Sequence, residues 1–89
     1  MNREEILSTI QTLENRYLAN PDSIYDIDNE LYDILNVLAY DKKDIQALQE
    51  WSELLDSRAH FYTDLGRLLY EAADKADNGI EWLQENGNY

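Results

Sequence analysis

Apolar residues recur every three or four positions from Ile6 to Leu83, and residues able to stop a helix are scarce. One proline and three glycines stand in 89 residues, and no stretch alternates with the two-residue period of a strand. Such a chain buries its apolar stripes by packing helix on helix. We expect an all-α fold: a small three- or four-helix bundle with two shorter helices and a long or broken C-terminal helix. Residues 1–89 read as one acidic helical domain.

The breakers set the segments. Asn2 with Glu5 three residues later forms a capping-box pattern, and Ile6, Ile10, Leu13 and Tyr17 follow at helical spacing. Asn20-Pro21 ends that run, because proline cannot continue the ladder yet suits a first turn. The first helix is thus predicted over about 3–19. A second, over about 22–40, carries Ile24, Ile27, Leu31, Ile34, Leu35 and Leu38 on one face. Asp41-Lys42-Lys43-Asp44 supplies a turn, with Asp41 as a candidate N-cap. Beyond it, Ile45, Leu48, Trp51, Leu55, Ala59, Tyr62, Leu69, Ala73, Ala76 and Ile80 stay in phase. Residues 44–78 are either one helix of about 50 Å or two that part near Ser57–His60 or at Gly66. Asn78-Gly79 reads as a C-cap, with Ile80-Glu81-Trp82-Leu83 a short tail turn that docks its tryptophan.

Charge then narrows the function. Nineteen acids against seven Lys and Arg give a formal charge of -12 and a pI near 4.1. Binding of nucleic acid or anionic lipid through a basic surface is excluded, since phosphate affinity comes from Lys and Arg. No apolar run reaches the ~20 residues of a membrane span, and Met1-Asn2-Arg3-Glu4-Glu5 does not open a signal peptide. Without cysteine there is no disulfide, thiol chemistry or cysteine-ligated zinc. The expected setting is the cytoplasm. Disorder is disfavoured, because 44% of residues are apolar and 11% aromatic. Self-repulsion nevertheless opposes folding, so salt or a partner is expected to stabilise the chain.

The acids are unevenly placed. From Tyr17 to Asp41 there are six acids and no base. On the second helix Asp22, Asp26, Glu30 and Asp33 fall within about 80° of one another, roughly opposite the apolar stripe. Tyr25 and Tyr32 flank the row, each able to pack a ring and offer a hydroxyl. Like charges at i,i+4 cost a helix a few tenths of a kcal/mol per pair. The long third segment also turns Glu53, Asp56, Asp64, Glu71, Asp74, Glu81 and Glu85 outward, but there Arg67 sits between Asp64 and Glu71 and relieves them. An unrelieved row is a surface suited to a basic partner: neighbouring carboxylates stand ~6 Å apart on a helix, and a phosphate groove expects closely spaced negative charge.

Two constellations raise the question of metal. His60 has Asp56 four residues before it and Asp64 four after, sharing a face only on an unbroken helix. Glu50-Trp51-Ser52-Glu53, seventeen residues and then Glu71-Ala72-Ala73-Asp74 loosely resembles the acidic signature of the MazG-like all-α nucleotide pyrophosphatases. The resemblance implies magnesium held by Glu50, Glu53, Glu71 and Asp74 from two antiparallel helices, and hydrolysis of nucleoside triphosphates. The chain departs from that pattern at Gln49, where the family has the first of paired glutamates. The helical phase also points Glu53, Glu71 and Asp74 away from the core. Serines stand in no elbow motif and no phosphate-cradling glycine loop is present.

The expectation is a non-enzymatic protein needing neither metal nor cofactor. It would inhibit a nucleic-acid-binding enzyme, such as a nuclease, by occupying its basic surface. That is nucleic-acid mimicry of a phage- or plasmid-type anti-restriction or anti-CRISPR kind, or nuclease immunity. The partner-binding residues are Asp22, Tyr25, Asp26, Glu30, Tyr32 and Asp33, acting from a monomer or symmetric homodimer. The alternatives are a homo-oligomeric scaffold and the magnesium-dependent hydrolase.

Overall fold

A computed structural model describes residues 1–86, arranged as an all-α bundle about 43 × 22 × 21 Å. Helix α1 spans Arg3–Ala19, α2 Ile24–Asn36, α3 Ile45–Ala59 and α4 Asp64–Asn86. Asn2 accepts the Glu5 N–H at 2.9 Å and caps α1 as its spacing predicts. Pro21 opens a 3₁₀ turn, Pro21–Ser23, so α2 proper starts two residues later than expected and leaves Asp22 outside it. Past Asn36 the chain widens into a π-helical turn, Val37–Asp41, in which the Lys42 N–H reaches back to the Val37 carbonyl. Lys43 then takes φ 53°, a left-handed conformation that ends the turn. The cap of α3 is Asp44, accepting the Ala47 N–H at 3.0 Å, and not Asp41, which the π turn absorbs.

The long apolar run is two helices. It parts over residues 60–63, and Gly66 lies inside α4. A methyl group built on Gly66 would stand 2.4 Å from the Ala59 carbonyl oxygen, so the glycine is what lets α4 turn back so closely on α3. Alanine and glycine recur along the same face of α4 at Ala72, Ala73, Ala76 and Gly79, all buried, and this seam makes α3 and α4 the most extensive helix pair.

Asn78-Gly79 does not end α4. Gly79 packs on Ala39 and Leu48, and Leu83 beyond it is wholly buried, so two further helical turns gain apolar burial by continuing. Trp82 is accordingly a helical residue, edge-on to Tyr40 at 5.0 Å and 40% exposed.

The helices run alternately up and down. Arg3 meets Glu50 and Glu14 meets Arg58, which sets α1 along α3, while Tyr32 meets Lys75 and sets α2 along α4. Ile6, Ile10, Ile27, Leu31, Leu48 and Trp51 close the core between them, each fully buried. Trp51 fills the centre at a cost: among the described residues its indole N–H is the buried side-chain donor without an acceptor, a loss of roughly 1–3 kcal/mol.

The two helical glycines of α4 separate close backbone approach from ordinary packing. Gly66→Ala is expected to cost about 2 kcal/mol or more, because rigid backbone must move. Gly79→Ala is expected to change stability by less than about 1 kcal/mol. Its new methyl meets side-chain methyls alone, Ala39 at 3.2 Å and Leu48 at 3.5 Å, and alanine's helix propensity offsets the crowding. Urea unfolding of the two variants measures the contrast.

Candidate functional acidic surface

Helix α2 turns Ile27, Leu31 and Leu35 inward, which dictates what it shows to solvent. Tyr25, Asp26, Asn29, Glu30, Tyr32 and Asp33 are all exposed, and Tyr25 is 79% exposed. Asp22 is exposed too, on the preceding 3₁₀ turn, where its N–H bonds Asn20 at 3.2 Å. The residues of the expected row are therefore all exposed, though not all on one helix.

Its charge is partly relieved after all. Arg16, from the last turn of α1, pairs with Glu30. Local sequence offers α2 no base, but the fold brings one from a neighbour. Among the described residues Asp22, Asp26 and Asp33 make no ion pair.

Tyr25 and Tyr32 stand on the other flank of α2, toward α4. Tyr25 and Asp28 line a cleft of about 370 Å³ with Asp64, Arg67 and Glu71. Tyr32 lines a neighbouring cleft of about 360 Å³ with Tyr40, Glu71, Asp74 and Lys75. Lys75 Nζ lies 5.1 Å from the Tyr32 ring centre, a cation over an aromatic face. The two tyrosines thus separate two acidic banks: Asp22, Asp26, Glu30 and Asp33 on one side, and Asp28, Asp64, Glu71 and Asp74 on the other. The helical count did not place Asp28 and the α4 acids opposite α2, because it orients each helix by itself.

The carboxylates of the pyrophosphatase-like pattern are not brought together. Glu50 and Glu53 both turn to Arg3 of α1, at 2.5 and 3.2 Å, whereas Glu71 and Asp74 line the α2–α4 cleft. Asp56 and Asp64 fall on different helices on either side of the turn, and His60 instead meets the Tyr70 hydroxyl through Nδ1 at 2.9 Å. Among the described residues no three His, Asp or Glu side chains gather in a way that could hold a metal ion.

One titratable group was missed by the sequence reading. Glu14 is 3% exposed. Its carboxylate accepts two hydrogen bonds from Arg58, Nε at 2.8 Å and Nη2 at 2.6 Å, and a third from the Tyr62 hydroxyl at 2.5 Å. Burial pushes the Glu14 carboxyl upward, but the bonds from Arg58 and Tyr62 outweigh it and hold the group below the ordinary carboxylate range. The same contact raises the Arg58 and Tyr62 values, since each is a better donor when protonated. The signal was present in the sequence. Glu14 stands four residues after Ile10 and Arg58 three after Leu55, each a charge in phase with an apolar stripe.

No family model matches the chain, and no curated protein or solved structure matches it either. No helix among the described residues is long and apolar enough to cross a membrane.

Removing the Glu14 charge exposes what the buried pair contributes. Breaking a fully buried pair costs roughly 3–5 kcal/mol. Because Arg58 keeps 28% of its side chain exposed, we expect about 2 kcal/mol for Glu14→Gln at pH 7. A carboxyl whose folded value is depressed stabilises fully above its unfolded value, near 4.3, and that contribution disappears as pH falls through the folded value. The gap between wild type and Glu14→Gln in urea midpoint is therefore expected to narrow in acid. A gap constant down to pH 3 would contradict this assignment.

Proposed function

We propose that this protein is an acidic inhibitor that occupies the positively charged surface of a nucleic-acid-binding enzyme, taking the place of its DNA or RNA. The observation that carries the reading is the outer face of α2. There Asp26 and Asp33 are exposed and make no ion pair among the described residues, and Asp22 extends their row beside a tyrosine that is 79% exposed. A surface made only for solvation gains from mixing signs along a helix. This one keeps like charges adjacent, at a cost to the helix, and sets large aromatics beside them.

The mechanism is competitive. Summed negative charge steers the protein to a basic cleft at rates that fall with salt. Carboxylates then stand in for phosphates, and tyrosine rings pack on the arginine stems that line such clefts. Tyr25 and Tyr32 are the contact residues, with Asp22, Asp26, Glu30 and Asp33 as charge donors. Biologically this fits a phage- or plasmid-type inhibitor of restriction or CRISPR enzymes, or an immunity protein for a toxic nuclease. The pairing of Glu50 and Glu53 with Arg3 favours this reading over the pyrophosphatase alternative.

Glu30 is the one member of the row with a structural task, so the discriminating variant spares it. Asp26→Asn with Asp33→Asn is expected to weaken partner binding at least about tenfold, or 1.4 kcal/mol. It should change stability by no more than a few tenths of a kcal/mol, since the repulsion removed is offset by loss of the Asp26 charge from the first turn of α2. Wild type and variant, immobilised and exposed to a nuclease-rich lysate at two salt concentrations, give the comparison. An enzyme captured only by wild type must then lose DNA or RNA cleavage when the protein is added back. Equal capture by both would end the reading.

A further inference from the structure

The cleft between α2 and α4 already holds a cation against an aromatic wall. Lys75 Nζ stands over Tyr32, and Tyr40, Glu71 and Asp74 are among the other residues lining a volume of about 360 Å³. Tyr40 is backed by Trp82, edge-on at 5.0 Å, which fixes the ring that forms this wall. Tyrosine faces with carboxylates beside them make up the chemistry that selects a guanidinium. Its flat cation stacks on a ring and donates paired hydrogen bonds to a carboxylate, whereas an ammonium offers only a point charge.

We propose that this cleft receives an arginine side chain of the basic partner, and that Lys75 is its internal competitor. The inference rests on the inhibitor reading and adds to it a seat and a preferred residue. In the free protein the Lys75 ammonium covers Tyr32 and offsets part of the charge of Glu71 and Asp74. An incoming guanidinium takes the Tyr32 face and a carboxylate, and Lys75, on a flexible stem at a half-buried position, swings out to solvent. Arginine is thereby favoured over lysine, because lysine would only replace one ammonium by another.

The probes are an oligo-arginine and an oligo-lysine peptide of equal length, titrated at physiological salt into the intact protein. Trp82 emission is followed because this residue packs on the cleft wall, and calorimetry checks the affinities. Wild type is expected to hold the arginine peptide at least about threefold tighter than the lysine peptide, in line with one additional guanidinium–ring contact. Tyr32→Leu is expected to erase that preference, and Lys75→Gln to widen it. Equal affinity for the two peptides, or a preference that survives Tyr32→Leu, overturns the seat. Asp26→Asn with Asp33→Asn is the separate control. It should weaken both peptides alike and keep the preference. If it changes neither affinity while the preference for arginine stays, the α2 row falls and the cleft stands. Failure of both peptides to bind overturns both.

Discussion

The carboxylate of Glu14, gripped by Arg58 and Tyr62, is the contact on which the arrangement of this bundle depends. It ties the middle of α1 to the last turn of α3, and Tyr62 carries the tie into the turn that leads to α4. Gly66 holds the other side of the same corner by letting α4 approach the Ala59 carbonyl. Three elements are thus registered within a few residues of one another. An apolar cluster of equal volume would give comparable or greater stability, since charges must be stripped of water to form the pair. What a forked, doubly bonded pair supplies is a single permitted register. Arg58 also sits near the carbonyl end of α3, where a positive charge is favoured by the helix dipole.

The same logic explains where the few bases went. Of seven Lys and Arg, three fasten α1: Arg3 to Glu50 and Glu53, Arg16 to Glu30, and Arg58 to Glu14. The pairs of Arg3 and Arg16 are exposed and orient α1 more than they stabilise it. The outcome is an asymmetric molecule. Positive charge is drawn into the seams around α1, and the outer faces of α2 and α4 retain their acids with only Arg67 and Lys75 among them. Concentrating the bases in this way leaves Asp26 and Asp33 without an ion pair among the described residues.

Much of the fold was legible because helical phase is a local property. The stripes Ile6–Tyr17 and Ile24–Leu38 read inward as expected, and Glu53, Asp56, Glu71 and Asp74 read outward. The departures share a cause, which is that tertiary contact overrides a local signal. Asn78-Gly79 has the chemistry of a helix end, yet burial of Leu83 carries α4 through it. Asp41 has the chemistry of a cap, but the π turn consumes it and Asp44 takes its place. Gly66 was a candidate break because glycine weakens helices, and it proves to be the residue that permits one helix to touch another. Pairings between helices, such as Arg16 with Glu30 or Lys75 with Tyr32, leave no trace in a single sequence, because they depend on which helix lies beside which.

The surface poses a thermodynamic question that bears on function. A chain of this size buries only about three-fifths of the area its unfolded form exposes, so its margin is small. Into that margin it places a net charge of -12, a left-handed lysine and an indole donor without an acceptor. The last two have local explanations in turn geometry and core volume. Part of the charge also has local explanations, in the first-turn acids Glu4, Glu5, Asp26 and Asp64 and in the Asp44 cap; the rest of the acidic surface opposes folding by self-repulsion. Net charge also keeps a small domain soluble and monomeric, and a gain on binding is a second physical account. Under the proposed inhibitor function a basic surface would supply that gain, since each cation meeting Asp26, Asp33 or the α2–α4 cleft would relieve repulsion that the isolated domain bears. On the second account the protein would be held further from its stability optimum alone than in complex, and its affinity would draw on the difference.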